Sequence, residues 1–296
     1  MKDTILQNTE TIAFKKPSQI KEIWRRLSKD KLAVFGLITL ILIILLALSA
    51  DLIVDYDSVI KLNVIDRLQK PSAEHIFGTD GYGRDVFARC IHGAKISLFI
   101  GFFSCTVATL IGSIIGALTG YSGGRLDNTL MRFIDIFSSI PPTLMNMAII
   151  AGLGSGIPQM CTALIASFIP GFVRIVRSSV LGIANQEYIE ACRAGGTSTW
   201  RILTKHILPN VIGPIIVQST LSLSNMIINI ATLSFLGLGI AQPTPEWGSM
   251  ISEAKEFLRS SPYLMFFPAG MLCLTSFSIS VLGDGLRDAL DPRLKN

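Results

Sequence analysis

The sequence predicts an all-α polytopic membrane protein with six transmembrane helices and both termini in the cytoplasm. Three observations carry that prediction. Half of the 296 residues are hydrophobic and 16% are charged, against about 25% charged in soluble domains. Mean hydropathy is +0.53. The charges are also absent from five long blocks, residues 32–50, 96–124, 136–173, 207–245 and 260–283. A helix needs roughly 20 apolar residues to cross about 30 Å of hydrocarbon.

Residues 1–31 hold eight Lys or Arg and read as a basic cytoplasmic tail. Within it Ile20, Ile23, Trp24 and Leu27 fall at helical spacing with cations between them. This predicts an amphipathic helix on the bilayer surface rather than a nucleic-acid-binding segment. The charged lead is too long for a cleaved signal peptide, so residues 32–54 are expected to be a retained first transmembrane helix. Residues 55–93 follow as an extracytoplasmic loop, 94–290 as a five-helix core, and 291–296 as a short tail.

Within the core, block 96–124 supplies the second span. Block 136–173 holds two, because Gly152-Leu153-Gly154-Ser155-Gly156-Ile157-Pro158 places a turn in its middle. Pro141-Pro142 must break or kink the third span. Block 207–245 reads as one span and an irregular exit, since Gly237, Gly239 and Pro243 interrupt its second part. Block 260–283 is the sixth span.

Cation placement sets the orientation. The segments expected inside, 1–31, 120–132, 174–207 and 285–296, hold 18 of the 26 Lys and Arg. The segments expected outside, 55–95 and 241–262, hold 8. The bias puts both termini in the cytoplasm. It also puts there the polar island at 188–196.

Catalytic and metal chemistry find little footing. Five cysteines show no C-x-x-C spacing, and His75, His92 and His206 lack ligand spacing. Asp135 starts a long apolar run with Arg132 three residues earlier, so a structural Arg132–Asp135 pair is expected. No G-x-x-x-x-G-K-[ST] occurs, and the chain is expected to bind no nucleotide by a P-loop.

Four segments carry the functional signal. The first is Tyr188-Ile189-Glu190-Ala191-Cys192-Arg193-Ala194-Gly195-Gly196, followed by His206-Ile207-Leu208-Pro209-Asn210. Ala191, Ala194, Gly195 and Gly196 leave room for close approach of another surface, and Glu190 can pair with a base or cap the helix. Gly196 is placed to end a short helix, and Pro209 opens the next span. The second is Phe77–Arg89, with Gly78, Thr79, Asp80, Gly83, Arg84 and Asp85. The third is Leu233-Ser234-Phe235-Leu236-Gly237-Leu238-Gly239, continuing to Pro245-Glu246-Trp247-Gly248. The fourth is Leu282-Gly283-Asp284-Gly285-Leu286-Arg287-Asp288-Ala289-Leu290-Asp291-Pro292-Arg293-Leu294.

In this order the four segments resemble the permease subunits of ABC importers, in the dipeptide, oligopeptide and nickel branch, C-type subunit. Three residues depart from the general pattern: Cys192 stands at a usually small position, Gly195 at a usually larger apolar one, and His206 at an aliphatic one. The resemblance implies a type I ABC importer permease fold. It implies a cytoplasmic coupling helix around 186–200, in which Tyr188, Glu190, Ala191, Cys192, Ala194, Gly195 and Gly196 meet a separate ATPase. The expected partners are two ABC ATPase subunits, a homologous second permease forming a heterodimer, an extracytoplasmic solute-binding protein and the lipid bilayer. No cofactor or metal is expected on this chain, ATP and Mg being used by the ATPases, and no catalytic residue is assigned. The loop at 55–93 reads equally as a surface for the binding protein or as a plug over the bundle. Peptide is the implied cargo, with nickel or a metal chelate as the alternative. A stand-alone secondary transporter would show inverted repeats and charges at membrane depth, and an intramembrane enzyme an acid or histidine cluster there. The sequence offers neither.

Overall fold

A computed structural model describes residues 19–290. The basic residues before 19 and the end of the fourth segment, Asp291 to Leu294, lie outside the described residues, as does the expected tail 291–296. Among the described residues there is no β-strand.

The helices follow the hydropathy blocks. The amphipathic segment is α1 (Gln19–Leu27), with Leu27 buried against the bundle and Trp24 exposed. Asp30 caps α2 (Lys31–Leu48) by accepting from the backbone N–H of Leu32 at 2.9 Å and Ala33 at 3.2 Å. On α2 the outward positions Leu32, Phe35, Ile38, Leu42, Leu45 and Leu48 are all apolar and exposed, as a lipid-facing surface requires. Two short helices, α3 (Ala50–Ile53) and α4 (Tyr56–Ile60), lead into the loop before α5 (Val86–Ser122), which starts inside the stretch 55–93 expected to be loop because Asp85 caps it there.

The third span departs from expectation. Residues 124–138, partly assigned to a cytoplasmic loop, form α6 (Gly124–Ser138), and α7 (Pro142–Leu153) follows at an angle of 84°. Twelve residues reach about 18 Å, too little for the hydrocarbon thickness alone. The pair is therefore broken at Pro141-Pro142, one of the two outcomes expected there. Pro141 lacks an N–H, Ile140 precedes a proline and is pushed out of the helical region, and Pro142 suits a first turn.

The chain continues through α8 (Ile157–Ala184), α9 (Glu187–Ala194), α10 (Thr199–Ile202), α11 (Leu208–Phe235), α12 (Trp247–Ala254) and α13 (Tyr263–Leu290). Among the described residues five segments are long and apolar enough to cross a membrane, and counting the bent pair as one span brings the number to six. The irregular exit after α11 is present as expected.

The most extensive contact is α5 against α8. Gly112, Gly116 and Gly120 recur every fourth residue on α5; an added Cβ at Gly112 would collide with the Phe172 Cβ, and those at Gly116 and Gly120 would lie 2.7 Å from the Val173 carbonyl and 2.8 Å from the Arg177 carbonyl. Small residues let the two backbones meet where no hydrophobic effect drives helix association. α11 and α13 are joined by hydroxyls, the Ser224 Oγ lying 2.9 Å from the Ser276 Oγ and 2.8 Å from the Ser280 Oγ.

The expected Arg132–Asp135 pair does not form. Asp135 accepts from Arg174 of α8 at 2.8 Å, and Arg177, one turn later, grips Asp127 with two bonds of 2.6 Å. Helical spacing permitted the local pair. The two arginines of α8 bring partners from a packed neighbour, and both bridges fasten α6 to α8.

Candidate functional site

The two candidate surfaces sit at opposite ends of α5, whose 37 residues span about 55 Å.

At the C-terminal end lies α9. It is shorter than the expected 186–200, because Gly196 adopts φ +72°. The Thr197 N–H donates to the Cys192 carbonyl and the Gly196 N–H to the Arg193 carbonyl, each at 3.0 Å, which closes the helix in a Schellman turn. Gly195 takes φ −76°, a conformation open to any residue. A separate single turn, α10, follows.

α9 is pinned by its inner face. Ile189 is fully buried in an apolar cluster with Val176, Val180, Ile202, Ile207 and Val211, and Cys192 packs against the same cluster. Arg193 lies over the Tyr121 ring at 4.5 Å and donates to its hydroxyl at 3.2 Å, tying α9 to the end of α5. The outer face presents Tyr188, Glu190, Ala191, Ala194, Gly195 and Gly196, all exposed. Of the seven expected docking residues, Cys192 alone is turned partly inward. Trp200 on α10, 67% exposed, was not singled out from the sequence, where a lone aromatic in a polar island carries no signal.

Between α10 and α11 the backbone makes a π turn over Leu203–Ile207, in which the Leu208 N–H donates to the Leu203 carbonyl. Pro209 cannot donate to the carbonyl four residues back, and its ring crowds that group. The wider turn relieves the crowding while keeping the polar island continuous with α11.

At the other end of α5 the Gly-rich loop is folded onto the bundle. Gly78 and Gly83 take φ near +77° and +76°, and an added Cβ at Gly83 would collide with the Asn63 carbonyl. Thr79 donates its hydroxyl to the Asp66 carbonyl. Asp85 caps α5 by accepting from the Ala88 N–H at 2.8 Å and holds His75 Nδ1 at 2.8 Å. Asp80 accepts from the backbone N–H of Tyr82 and Arg84 and from Arg84 Nε at 2.7 Å. Arg84 then reaches Glu253 of α12 at 2.8 Å, and Arg89 lies 3.5 Å from the same carboxylate. Both arginines are buried. A cavity of about 170 Å³ opens beside them, bordered by Arg67, Asp80, Arg89, Gln242, Glu253 and Phe257.

Behind this cluster stands Glu246, fully buried. It caps α12 by accepting from the N–H of Gly248 at 2.7 Å and Ser249 at 2.8 Å. Burial pushes its carboxyl above the usual range, while those two N–H groups pull the other way. Burial likewise raises Glu253, opposed by Arg89 and Arg84. Trp247, also fully buried, donates its indole N–H to the Cys90 carbonyl at 2.9 Å. The Pro-Glu-Trp-Gly stretch stands out in the sequence as a motif, but nothing there indicates that Glu253 would anchor the loop from across the chain or that Glu246 would meet Ser97 of α5.

Residues 112–296 match the family described as binding-protein-dependent transport system inner membrane component, and residues 18–71 match the N-terminal TM domain of oligopeptide transport permease C. The chain is 42% identical to the dipeptide transport system permease protein DppC of Alkalihalophilus pseudofirmus, over 93% of this chain and 90% of that one. It is 43% identical to the oligopeptide transport system permease protein OppC of Bacillus subtilis, over 97% and 94%. It is 39% identical to the glutathione transport system permease protein GsiD of Pectobacterium atrosepticum, over 93% and 92%. In fold it is similar to a chain of the inward-facing MetNI methionine ABC transporter, with a TM-score of 0.59 and 22% identity, over 69% of this chain and 97% of that one.

Proposed function

The chain belongs to the family of binding-protein-dependent transport system inner membrane components, a multi-pass membrane permease rather than a catalyst, and on that premise we propose that it is the permease of an ABC importer that carries dipeptides and oligopeptides inward. Relatives named for dipeptide and oligopeptide transport align over nearly its whole length, which supports that cargo. A second, homologous permease completes the path, a solute-binding protein delivers the peptide outside, and two ATPase subunits supply the work from ATP and Mg.

The observation that carries the coupling role is the two-sided character of α9. Its inner face is locked to the spans through Ile189 and Arg193, and its outer face, small residues flanked by Tyr188 and Glu190, is bare. A force applied to that face is transmitted to α5, α8 and α11 without deforming the helix, because the packed cluster moves as a body. Closure of the ATPases would draw this helix with them and reorient the spans, so the permease contributes geometry and its partners the chemistry.

The test is uptake of a labelled dipeptide by vesicles containing the whole transporter, together with its ATPase rate. Glu190→Ala and Ala191→Arg are expected to lower both uptake and binding-protein stimulation of ATPase. If both stay at the wild-type level, α9 is not the coupling element. If the wild-type transporter takes up no peptide at all, the cargo assignment falls.

A further inference from the structure

α11 carries a feature that neither helix packing nor lipid contact explains. Gln218, Ser222, Asn225, Asn229 and Thr232 recur at steps of four, three, four and three, one face of a helix. The stripe runs about 21 Å along a helix of about 42 Å. Asn225 and Thr232 are exposed, Gln218 and Asn229 are half-buried, and Ser222 is buried beneath Gln218, from which it accepts a hydrogen bond.

We propose that this stripe lines the translocation path and hydrogen-bonds the backbone amides of the peptide in transit. The proposal rests on the peptide-import reading above.

Three observations favour it. First, lipid is a poor neighbour for this face. The outward positions of α2 are uniformly Leu, Ile and Phe, whereas α11 offers primary amides at membrane depth, where an unsatisfied polar group is costly. Second, the face lacks the marks of a tight helix interface. Where this protein packs two spans closely, it uses Gly112, Gly116 and Gly120. The stripe is flanked instead by Leu221, Ile228 and Phe235, with Ile228 and Phe235 exposed, which hold a neighbour at a distance.

Third, the hydrogen bonds are arranged for a transient guest. Asn225 Nδ2 donates to the Leu221 carbonyl at 3.1 Å, Asn229 Nδ2 to the Asn225 carbonyl at 2.9 Å, and Gln218 Nε2 to the Ser222 Oγ at 3.0 Å. Each amide is steadied by one bond to its own helix, and among the described residues no donor reaches the Asn225 or Asn229 Oδ1. Each amide keeps one further N–H and a carbonyl oxygen free. A side-chain amide presents the same donor and acceptor as a peptide bond, so the track can hold any peptide regardless of its side chains.

The experiment uses the complete transporter with Cys192 and Cys273 replaced by serine. Asn225→Cys, Asn229→Cys and Thr232→Cys are made singly, with Leu42→Cys as a lipid-facing control. A charged, membrane-impermeant methanethiosulfonate is expected to modify the three stripe cysteines and spare the control, and excess dipeptide with its binding protein is expected to slow that reaction. In parallel, Asn225→Leu and Asn229→Leu are each expected to cut dipeptide uptake about threefold to tenfold, the weight of one hydrogen bond, with binding-protein-stimulated ATPase retained. Asn225→Gln should recover part of the loss.

Unreactive stripe cysteines would place this face against lipid or the sister permease and overturn the proposal. So would unchanged uptake in both leucine variants. If the wild-type transporter imports no peptide while the stripe cysteines still react, the cargo reading has failed and the amide role goes with it, but the water-lined path stands.

Discussion

Arg84 and Glu253, 169 residues apart in sequence, meet at 2.8 Å with the arginine side chain fully buried. This contact fastens the loop before α5 to the helix before α13. Its geometry makes it hard to break one side at a time. Removing one partner of a buried pair leaves an uncompensated charge at a cost of about 3–5 kcal/mol. Glu253→Ala and Arg84→Ala are each expected to destabilise by about that amount in thermal unfolding of the detergent-solubilised protein. The double variant should lose much less than the sum, and additive losses would show that the pair is not coupled.

Glu246 gives a pH signature. Burial raises its folded pKa above the ordinary 4.5. A raised acid contributes stability that is present in full below its unfolded pKa and is lost as pH rises through the folded value. Part of the wild-type stability should therefore decline as pH rises from about 4.5. Glu246→Gln, which is never charged, should flatten that decline, and Glu246→Ala should lose about 1 kcal/mol of cap at all pH values. Melting curves across the acid and neutral range separate the three.

Gly116 tests the α5–α8 contact. An added Cβ would stand 2.7 Å from the Val173 carbonyl and 2.9 Å from the Val176 Cβ, both on rigid helix. Gly116→Ala is expected to cost about 1–3 kcal/mol by overpacking. Gly152→Ala, with nothing within 4 Å, serves as the control. Equal melting temperatures for the two variants would contradict the packing described.

The paired glycines after α9 should differ sharply. Gly195→Ala meets an ordinary φ of −76° and should leave stability nearly unchanged. Gly196→Ala must hold φ +72°, a left-handed position that costs roughly 1–2 kcal/mol for a residue with a Cβ. The cost is expected to fray the turn, seen as faster amide exchange at Gly196 and Thr197, and to weaken coupling between ATPase and uptake.

The α6–α8 bridges predict a ranking. Arg132→Ala should be neutral. Asp135→Asn removes an exposed bridge to Arg174 and should cost below about 1 kcal/mol. Asp127→Asn breaks the bidentate grip of Arg177 and should cost more. Unfolding midpoints of the three variants check the order.

The Asp135 result shows where sequence reasoning stopped. Local spacing selected Arg132, which is three residues away on the same helix, whereas the actual partner arrives from α8 after two turns of the chain. Glu253 and Glu246 stayed unassigned for the same reason, since their partners Arg84 and Ser97 lie about 150 residues or more away. The bend at Pro141-Pro142 was legible, because proline removes a donor wherever it sits. Its 84° magnitude was not, because that depends on how α6 is held by Asp127 and Asp135.

By itself the sequence determined the class of molecule, the order of its membrane segments, the irregular exit after α11 and the place of the polar segment that became α9. These follow from properties that act along the chain: hydrocarbon thickness against run length, and the conformational limits of Gly and Pro. Only the tertiary structure decided which side of α9 is bare, which acids hold the loop, and that the asparagines of α11 share an open face. Those are pairings and exposures, fixed by distances between segments that the linear order does not encode.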